Sequence, residues 1–356
     1  MRLEPVSAGA HPPRVVGTGL LAADVLLDAR CPSMGRFHAG GTCGNVLTIL
    51  GALGWASQPV ARLGNDLAGS VIRRDMQAWG VDVSLLVEAS SSQSPVYFHW
   101  LDRAESGRPI HKFSRECPSC GRILPSYQPV PNSMIEAIWD SANGAHVCFV
   151  DRVSRGAITL AKYCREQGAL IVFEPSGAGD PRLFAEMISI SHIIKYSKER
   201  SKKVAPLVNG GADGSYLLIE TLGSEGLRYQ HVRSGTVRDT WQYLGSAPTP
   251  EVRDTAGAGD WCTAGLLHQA GRSGALGFSE LPEEAIEQSL MLGQTVAAWN
   301  CGFEGARGGM YATPVENDPS RNLFHPRRRV DSGRLAHEAN FGPVNILCSA
   351  CTSGHQ

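Results

Sequence analysis

Residues 254 to 260 read Asp-Thr-Ala-Gly-Ala-Gly-Asp, and Trp-Cys-Thr-Ala-Gly-Leu-Leu follows from Trp261. Small side chains at Ala256, Gly257, Ala258 and Gly259 let a ligand come close to the backbone. The run from Trp261 to Ala270 reads as a helix. A glycine-rich turn that opens a helix offers unpaired N–H groups and the positive end of the helix dipole, which suit a phosphate or a developing phosphoryl charge. A carboxylate in such a place repels an anion unless it has a task of its own. Accepting the proton of a hydroxyl that attacks the phosphoryl group is that task, and it makes Asp260 a candidate general base. The plainer alternative is a tight turn with an aspartate capping the helix.

A second set of residues suits a metal. In Cys117-Pro118-Ser119-Cys120-Gly121 the turn aims both thiolates at one ion, and the glycine lets backbone N–H groups face the sulfurs. One such knuckle supplies two ligands, and a structural zinc needs four. The second C-x-x-C is Cys348-Ser349-Ala350-Cys351. The reading is a four-cysteine zinc site built from Cys117, Cys120, Cys348 and Cys351, structural because four thiolates leave no position for water. The alternatives are two unrelated pairs, a site completed by His99 or His111, or reduced thiols. Cys31, Cys43, Cys148, Cys164, Cys262 and Cys301 lie singly and read as buried small residues.

Composition limits the setting for both. The chain has 356 residues, 42% hydrophobic and 19% charged, enough for one large core or two smaller ones. A formal net charge of −1 favours neither nucleic acid nor an acidic membrane as partner. Arg327-Arg328-Arg329 is a short basic run, read as a solvated loop or tail. The first residues lack an apolar signal region, and no run approaches the roughly 18 apolar residues of a membrane span. Cysteines in a chain without a signal segment fit the reducing cytoplasm.

The elements that must position these residues alternate. Val15 to Leu20 reads as a strand reaching glycines. A helix follows over Gly44 to Leu53, a strand over Val60 to Leu63 and a helix over Ala68 to Trp79, with Gly80 as its C-terminal stop. Ala145 to Val150 and Ala169 to Phe173 are apolar strands around a helix near Ala157 to Gln167. His192 to Ile194 and Ser215 to Glu220 are further strands. This alternation predicts an α/β fold with a mostly parallel sheet covered on both faces. Pro95 to Asp102 is aromatic and β-prone, with His111-Lys112-Phe113 as a partner strand. Together they read as a small β excursion inserted in the domain. From about Pro314 the chain reads as irregular.

The heptapeptide resembles the D-T-x-G-A-G-D signature of the ribokinase-like, or PfkB, family of sugar and nucleoside kinases. Three further motifs of that family appear in its order: Gly40-Gly41-Thr42-Cys43-Gly44-Asn45, Leu63-Gly64-Asn65-Asp66-Leu67-Ala68-Gly69 and Thr221-Leu222-Gly223-Ser224-Glu225-Gly226. Together they cover roughly residues 15 to 312. The resemblance implies a three-layer α/β/α kinase domain over 14–315. Its small β-lid insertion falls at about 93–130, and a tail over 316–356 would be zinc-clipped to that lid. It implies ATP-dependent phosphorylation of a hydroxyl on a sugar, sugar derivative or nucleoside, with Mg2+. Asp260 would be the base, and the N–H groups of Gly257, Ala258 and Gly259 the anion hole. Gly40, Gly41, Asn45 and Asp24 would hold substrate hydroxyls, a turn aspartate being the alternative for Asp24. Lys195, Ser197, Thr221, Gly223 and Gly226 would border the nucleotide, and the 64–69 motif would be structural. Family lids often mediate dimers, so a homodimer through the lid is implied, and the tail's ligands could then come from a second subunit.

The chain departs from the family at Lys195-Tyr196-Ser197-Lys198-Glu199-Arg200, where many members carry Asn-x-x-Glu near Mg2+. Ser197 stands in the Asn place. Arg200 falls where Glu is expected, unless Glu199 substitutes by a shift of one. Trp261 after the aspartate is also unusual, and core packing explains it more simply than a narrowed acceptor pocket. These departures and the knuckle motivate a second reading, a catalytically weak binding or regulatory protein on the same fold. A zinc ribbon binding nucleic acid is a third, opposed by the sparse basic and aromatic residues around Cys117. Tyr97, His99 and His111 of the excursion are candidate substrate contacts.

Overall fold

The computed structural model describes residues 11–28, 31–89, 92–103, 109–177, 179–208, 216–232, 240–249, 251–312 and 341–352. Along the chain run β1 (Arg14–Thr18), β2 (Ala22–Asp28), β3 (Cys31–Gly40), α1 (Thr42–Ala52), β4 (Ala56–Leu63), α2 (Leu67–Ala78), β5 (Leu86–Glu88), β6 (Val96–Arg103) and β7 (Pro109–Ser114). Then come α3 (Asn132–Ala142), β8 (Val147–Val150), α4 (Arg155–Glu166), β9 (Leu170–Phe173), α5 (Pro181–Ile190), β10 (Ile193–Ser197), α6 (Lys198–Val208), β11 (Tyr216–Thr221), β12 (Leu227–Val232) and β13 (Gln242–Leu244). The last are α7 (Ala258–Ala270), α8 (Gly274–Ser279), α9 (Glu283–Asn300), α10 (Gly308–Tyr311), β14 (Phe341–Pro343) and α11 (Ser349–Thr352).

The main sheet has the order β13-β12-β11-β10-β9-β8-β1-β4-β5. Neighbours from β11 to β5 pair in parallel, and β12 and β13 add antiparallel strands at one edge. Its central strands are apolar on both faces because both are covered: every residue of β8 and β9 is buried. Alternate residues feed two cores. One joins Val15, Phe149 and Val172 to Leu50 of α1, Leu266 of α7 and Val296 of α9. The other joins Val16, Cys148 and Ile171 to Ile158 of α4, Phe184 of α5 and Val204 of α6. Each such apolar side chain contributes about 1.5–3 kcal/mol of transfer free energy on burial. The architecture is the expected three-layer α/β/α.

A second sheet has the order β14-β3-β2-β6-β7. The excursion at 95–102 and 111–113 is present as β6 and β7, paired antiparallel. It is not a free-standing hairpin, because β6 pairs in parallel with β2 and β2 pairs antiparallel with β3. Asp24 therefore lies inside β2, opposite His38 of β3, rather than in a turn beyond the first strand. The sequence hides this because β2 meets β6 across a long stretch of intervening chain.

The motif at 64–69 is structural, as expected. Asp66 caps α2, its Oδ1 accepting from the Gly69 N–H at 2.7 Å, and its Oδ2 accepts from the Ser94 N–H at 2.8 Å just before β6. One aspartate thus fixes a helix start and the approach to the second sheet. The tail expected to be irregular contains β14 and α11, and its basic run at 327–329 lies outside the described residues. No helix among the described residues is long and apolar enough to cross a membrane.

Candidate active site

Helix α7 starts at Ala258, three residues before Trp261, so Asp260 lies in its first turn. Gly257 precedes the helix in the left-handed region, with φ 73°. A Cβ there would stand 2.2 Å from the Ala306 carbonyl oxygen, so only glycine fits. Asp254, fully buried, shapes the turn: its Oδ1 accepts from the Ala256 N–H at 2.9 Å and its Oδ2 from the Gly305 N–H at 2.8 Å. The N–H groups of the first helical turn have no carbonyl one turn back, which leaves them for a ligand. That of Ala258 already bends back to Thr255 O at 3.3 Å. Trp261 is core, as the simpler reading had it: it is fully buried, and its Nε1 donates to Ala306 O at 3.0 Å.

Asp260 is 8% exposed and its Oδ2 accepts from Asn45 Nδ2 at 2.7 Å. Burial, reinforced by the negative charge of Glu174, pushes its carboxyl up to about 8, while Asn45 and Lys195 oppose the shift. Below the turn, Lys195 Nζ donates to Glu174 Oε1 at 2.6 Å and Thr263 Oγ1 to Glu174 Oε2 at 2.7 Å. A Cβ on Gly259 would sit 3.6 Å from both the Lys195 and Glu174 side chains.

Two cavities lie next to the neighbours of this carboxylate, Asn45 and Gly259, though Asp260 itself lines neither. One, of about 250 Å3, is lined by Asp24, Arg36, His38, Asn45, His99 and Arg307 among others. Asp24 is held up to about 7, mainly by burial. Burial also brings His99 down to about 4, so its imidazole is neutral near pH 7. Neither Gly40 nor Gly41 lines this cavity. Gly40 instead makes room for Asp24, whose Oδ2 would be 1.9 Å from a Cβ, and Gly41 is the N-cap residue of α1. His111 reaches the turn, with Nδ1 3.2 Å from Thr255 Oγ1, and Tyr97 is not in the cavity wall.

The other cavity, of about 580 Å3, is lined by Thr221, Gly223 and Gly226 together with Thr255, Ala258 and Gly259. The motif at 221–226 and the turn at 254–260, far apart in sequence, thus share one wall. Lys195 and Ser197 do not line it; Lys195 is 2% exposed against Glu174. Near them the Ser197 hydroxyl and the backbone hydrogen-bond the Glu199 carboxylate and lower its pKa. Arg200 Nη1 reaches the Pro175 carbonyl at 3.4 Å. Glu199, one place early, is exposed and lines neither cavity.

Cys117, Cys120, Cys348 and Cys351 come together, their sulfurs all within 4.8 Å of one another. His99 and His111 are not with them but with Asp254, their nitrogens 3.7 and 3.5 Å from its carboxylate oxygens. The alternative of a histidine-completed knuckle is set aside by that placement.

Sequence reasoning missed Arg307. Its guanidinium is 1% exposed, donates through Nε to Asn45 Oδ1 at 3.0 Å, and pairs with Asp75 at 2.6 Å. Nothing around Ala306-Arg307-Gly308 signals this. A charge that is nearly always exposed becomes a site residue only through partners on α1 and α2. Glu174 was missed for the same reason.

No family model matches the chain. It is similar to the ATP-dependent ribose-1-phosphate kinase of Halopiger xanaduensis, 23% identical over 286 residues, 79% of this chain and 86% of that protein. Among solved structures it is similar to the fructokinase with bound ATP from Xylella fastidiosa. That likeness has TM-score 0.61 and 20% identity, covering 82% of this chain and 93% of that one. It is also similar to the Arabidopsis thaliana ribokinase complexed with ribose and ATP, with TM-score 0.61 and 17% identity, covering 83% and 94%. The fold is ribokinase-like.

Proposed function

We propose that this ribokinase-like chain transfers the γ-phosphoryl group of ATP to a hydroxyl of a sugar, sugar derivative or nucleoside. One observation carries the reading. Asp260, 8% exposed and in neither cavity wall itself, touches both through its neighbours: its partner Asn45 is in the wall of the smaller, and the adjacent Gly259 is in the wall of the larger. A hydroxyl in the smaller cavity can lose its proton to a carboxylate lying beside the phosphate end of the larger.

The acceptor binds among Asp24, Asn45, His38 and Arg307, and ATP binds along Thr221, Gly223 and Gly226. Asp260 takes the hydroxyl proton as the alkoxide attacks the γ-phosphorus and the bond to the bridging oxygen of ADP breaks. The first-turn N–H groups of α7, at Gly259 and beside it, stabilise the charge that develops on the transferred group. Lys195, held by Glu174 beneath the turn, adds a fixed positive charge nearby. Ser197 pairs across the sheet with Thr221 of the larger cavity, and the nearby Glu199 is the carboxylate that would hold Mg2+ through its water shell. Mg2+ would supply charge neutralisation on the phosphates.

Arg36, Arg253 and Arg307 line the smaller cavity, but each is paired with a carboxylate, Glu304, Glu251 and Asp75, so the lining does not by itself select a charged or a neutral acceptor. The experiment is ADP release measured over ribose, ribose 1-phosphate, fructose and a set of nucleosides. We expect turnover with at least one, lowered by on the order of 10²–10⁴-fold in Asp260→Asn. Ligand binding without ADP release from any of them would replace the kinase by the catalytically weak binding protein.

A further inference from the structure

We propose that Cys117, Cys120, Cys348 and Cys351 bind one zinc ion in a closed tetrahedral site that clasps the C-terminal segment to the second sheet. The sulfur of Cys117 lies 3.8 Å from that of Cys351, and the sulfur of Cys120 lies 3.7 Å from that of Cys348. A tetrahedron with Zn–S bonds of about 2.3 Å has edges of about 3.8 Å, so these separations are those of ligands around one ion. Four thiols left to themselves gain little from such convergence, because S–H groups are weak donors and acceptors.

Both turns are already shaped for the task. After β7, the Cys117 N–H donates to Arg122 O at 2.8 Å and the Gly121 N–H to Cys117 O at 2.9 Å, closing a small hairpin. Backbone N–H groups of Ser119 and Cys120 face the Cys117 sulfur, and that of Arg122 faces the Cys120 sulfur. The second turn is helical, with the Cys351 N–H donating to Cys348 O at 3.0 Å. Four thiolates close the coordination, so the ion is structural and exchanges no ligand with substrate.

Its consequence is mechanical. Between the two Cys turns the chain lays β14 against β3, with Phe341 opposite Arg36 and Pro343 opposite Met34. Val344 and Leu347 are buried behind it. The strand β3 carries Arg36 and His38 of the smaller cavity. The ion therefore ties the segment that carries β14 to the turn after β7, and β14 in turn pairs with the strand that forms the wall of the acceptor cavity, an assignment that rests on the kinase reading, whereas the metal count does not.

Metal analysis of the purified full-length protein tests this. We expect about one zinc per chain. Cys348→Ser/Cys351→Ser should drop it below about a tenth of that, as the site loses half its ligands. Cys120→His, which keeps a ligand, should retain the metal, and Cys164→Ser outside the cluster should leave it unchanged. In the double variant, hydrogen exchange should speed up in β3 and β14 but not in β8 and β9. Cobalt added to protein stripped of metal should give intense sulfur-to-cobalt charge-transfer bands. No metal in the native protein, iron in place of zinc, two disulfides in a non-reduced digest, or full zinc in the double variant would each overturn the proposal.

Discussion

Arg307 Nε donates to Asn45 Oδ1 at 3.0 Å, and Asn45 Nδ2 donates to Asp260 Oδ2 at 2.7 Å. The first bond decides the second. With its oxygen bound to a cation, the Asn45 amide has one orientation, and its N–H group must face the carboxylate. Asp75 anchors the other end, accepting from Arg307 at 2.6 Å and from Tyr311 at 2.9 Å.

Arg307 is thus expected to act as a positioning residue. Arg307→Lys should lower kcat by about tenfold, which is about 1.4 kcal/mol of transition-state stabilisation. Asn45→Ala should lower it too and, by removing a donor that opposes the upward shift of Asp260, move the pH dependence of kcat/KM to higher pH. A merely structural role would lower activity with the profile in place. The double variant should be far from additive, since both residues act through one bond.

The proton-accepting form of Asp260 is the carboxylate, and its pKa is raised to about 8. Initial rates at limiting acceptor should therefore rise with pH through about 8 and level above it. Asp260→Asn should lose on the order of 10²–10⁴-fold in kcat and show no such limb, while ATP binding by calorimetry stays close to that of the native protein. A profile flat from pH 6 to pH 9 would remove Asp260 as the base.

The same shift has a thermodynamic side. Asp260, Asp24 and Asp151 have folded-state values of about 8, 7 and 6, all raised by burial above the unfolded value of about 3.9. The folded chain holds these protons longer than the unfolded one. Their contribution is fully present below about pH 4 and is lost as pH rises through the folded values, by up to ~1.4 kcal/mol per pH unit for each group. Asp260→Asn cannot titrate. The Tm of the variant should rise relative to that of the native protein from pH 5 to about pH 8 and level above it; a difference that stays constant with pH would contradict the assignment.

Ala298 lines the larger cavity and not the smaller. Ala298→Phe should fill space the adenine nucleotide needs, raising KM for ATP at least tenfold while the acceptor's dissociation constant is unchanged. Equal weakening of both ligands would mean that the two cavities are not separate binding sites.

Contiguous features were readable from the sequence. The turn at 254–260, the motif at 221–226 and the two C-x-x-C turns each carry their chemistry within a few residues, so spacing alone exposed them. The central strands were readable because burial on both faces leaves an unbroken apolar run. What escaped depends on distant pairing. Asp24 looked like a turn residue because the partners of its strand, β3 and β6, are set by pairing that no local pattern reveals. Arg307 and Glu174 were invisible because buried charges are identified by their partners, Asp75 with Asn45 and Lys195 with Thr263, not by their own neighbours. Gly40 was read as making room for a hydroxyl, whereas the group lying against it is the Asp24 carboxylate.

The pairing of β14 with β3 joins segments roughly 300 residues apart, and it orders events during synthesis. A ribosome adding roughly 5–20 residues per second delivers Phe341 tens of seconds after Arg36. Throughout that interval the outer edge of β3 has no strand beside it, although β2 and β6 are already made. An unpaired edge is where nascent chains stick to one another. The vulnerable period of this protein's biogenesis therefore lasts until β14 is translated, and slowing elongation between β3 and β14 should lower soluble yield more than slowing it before β3.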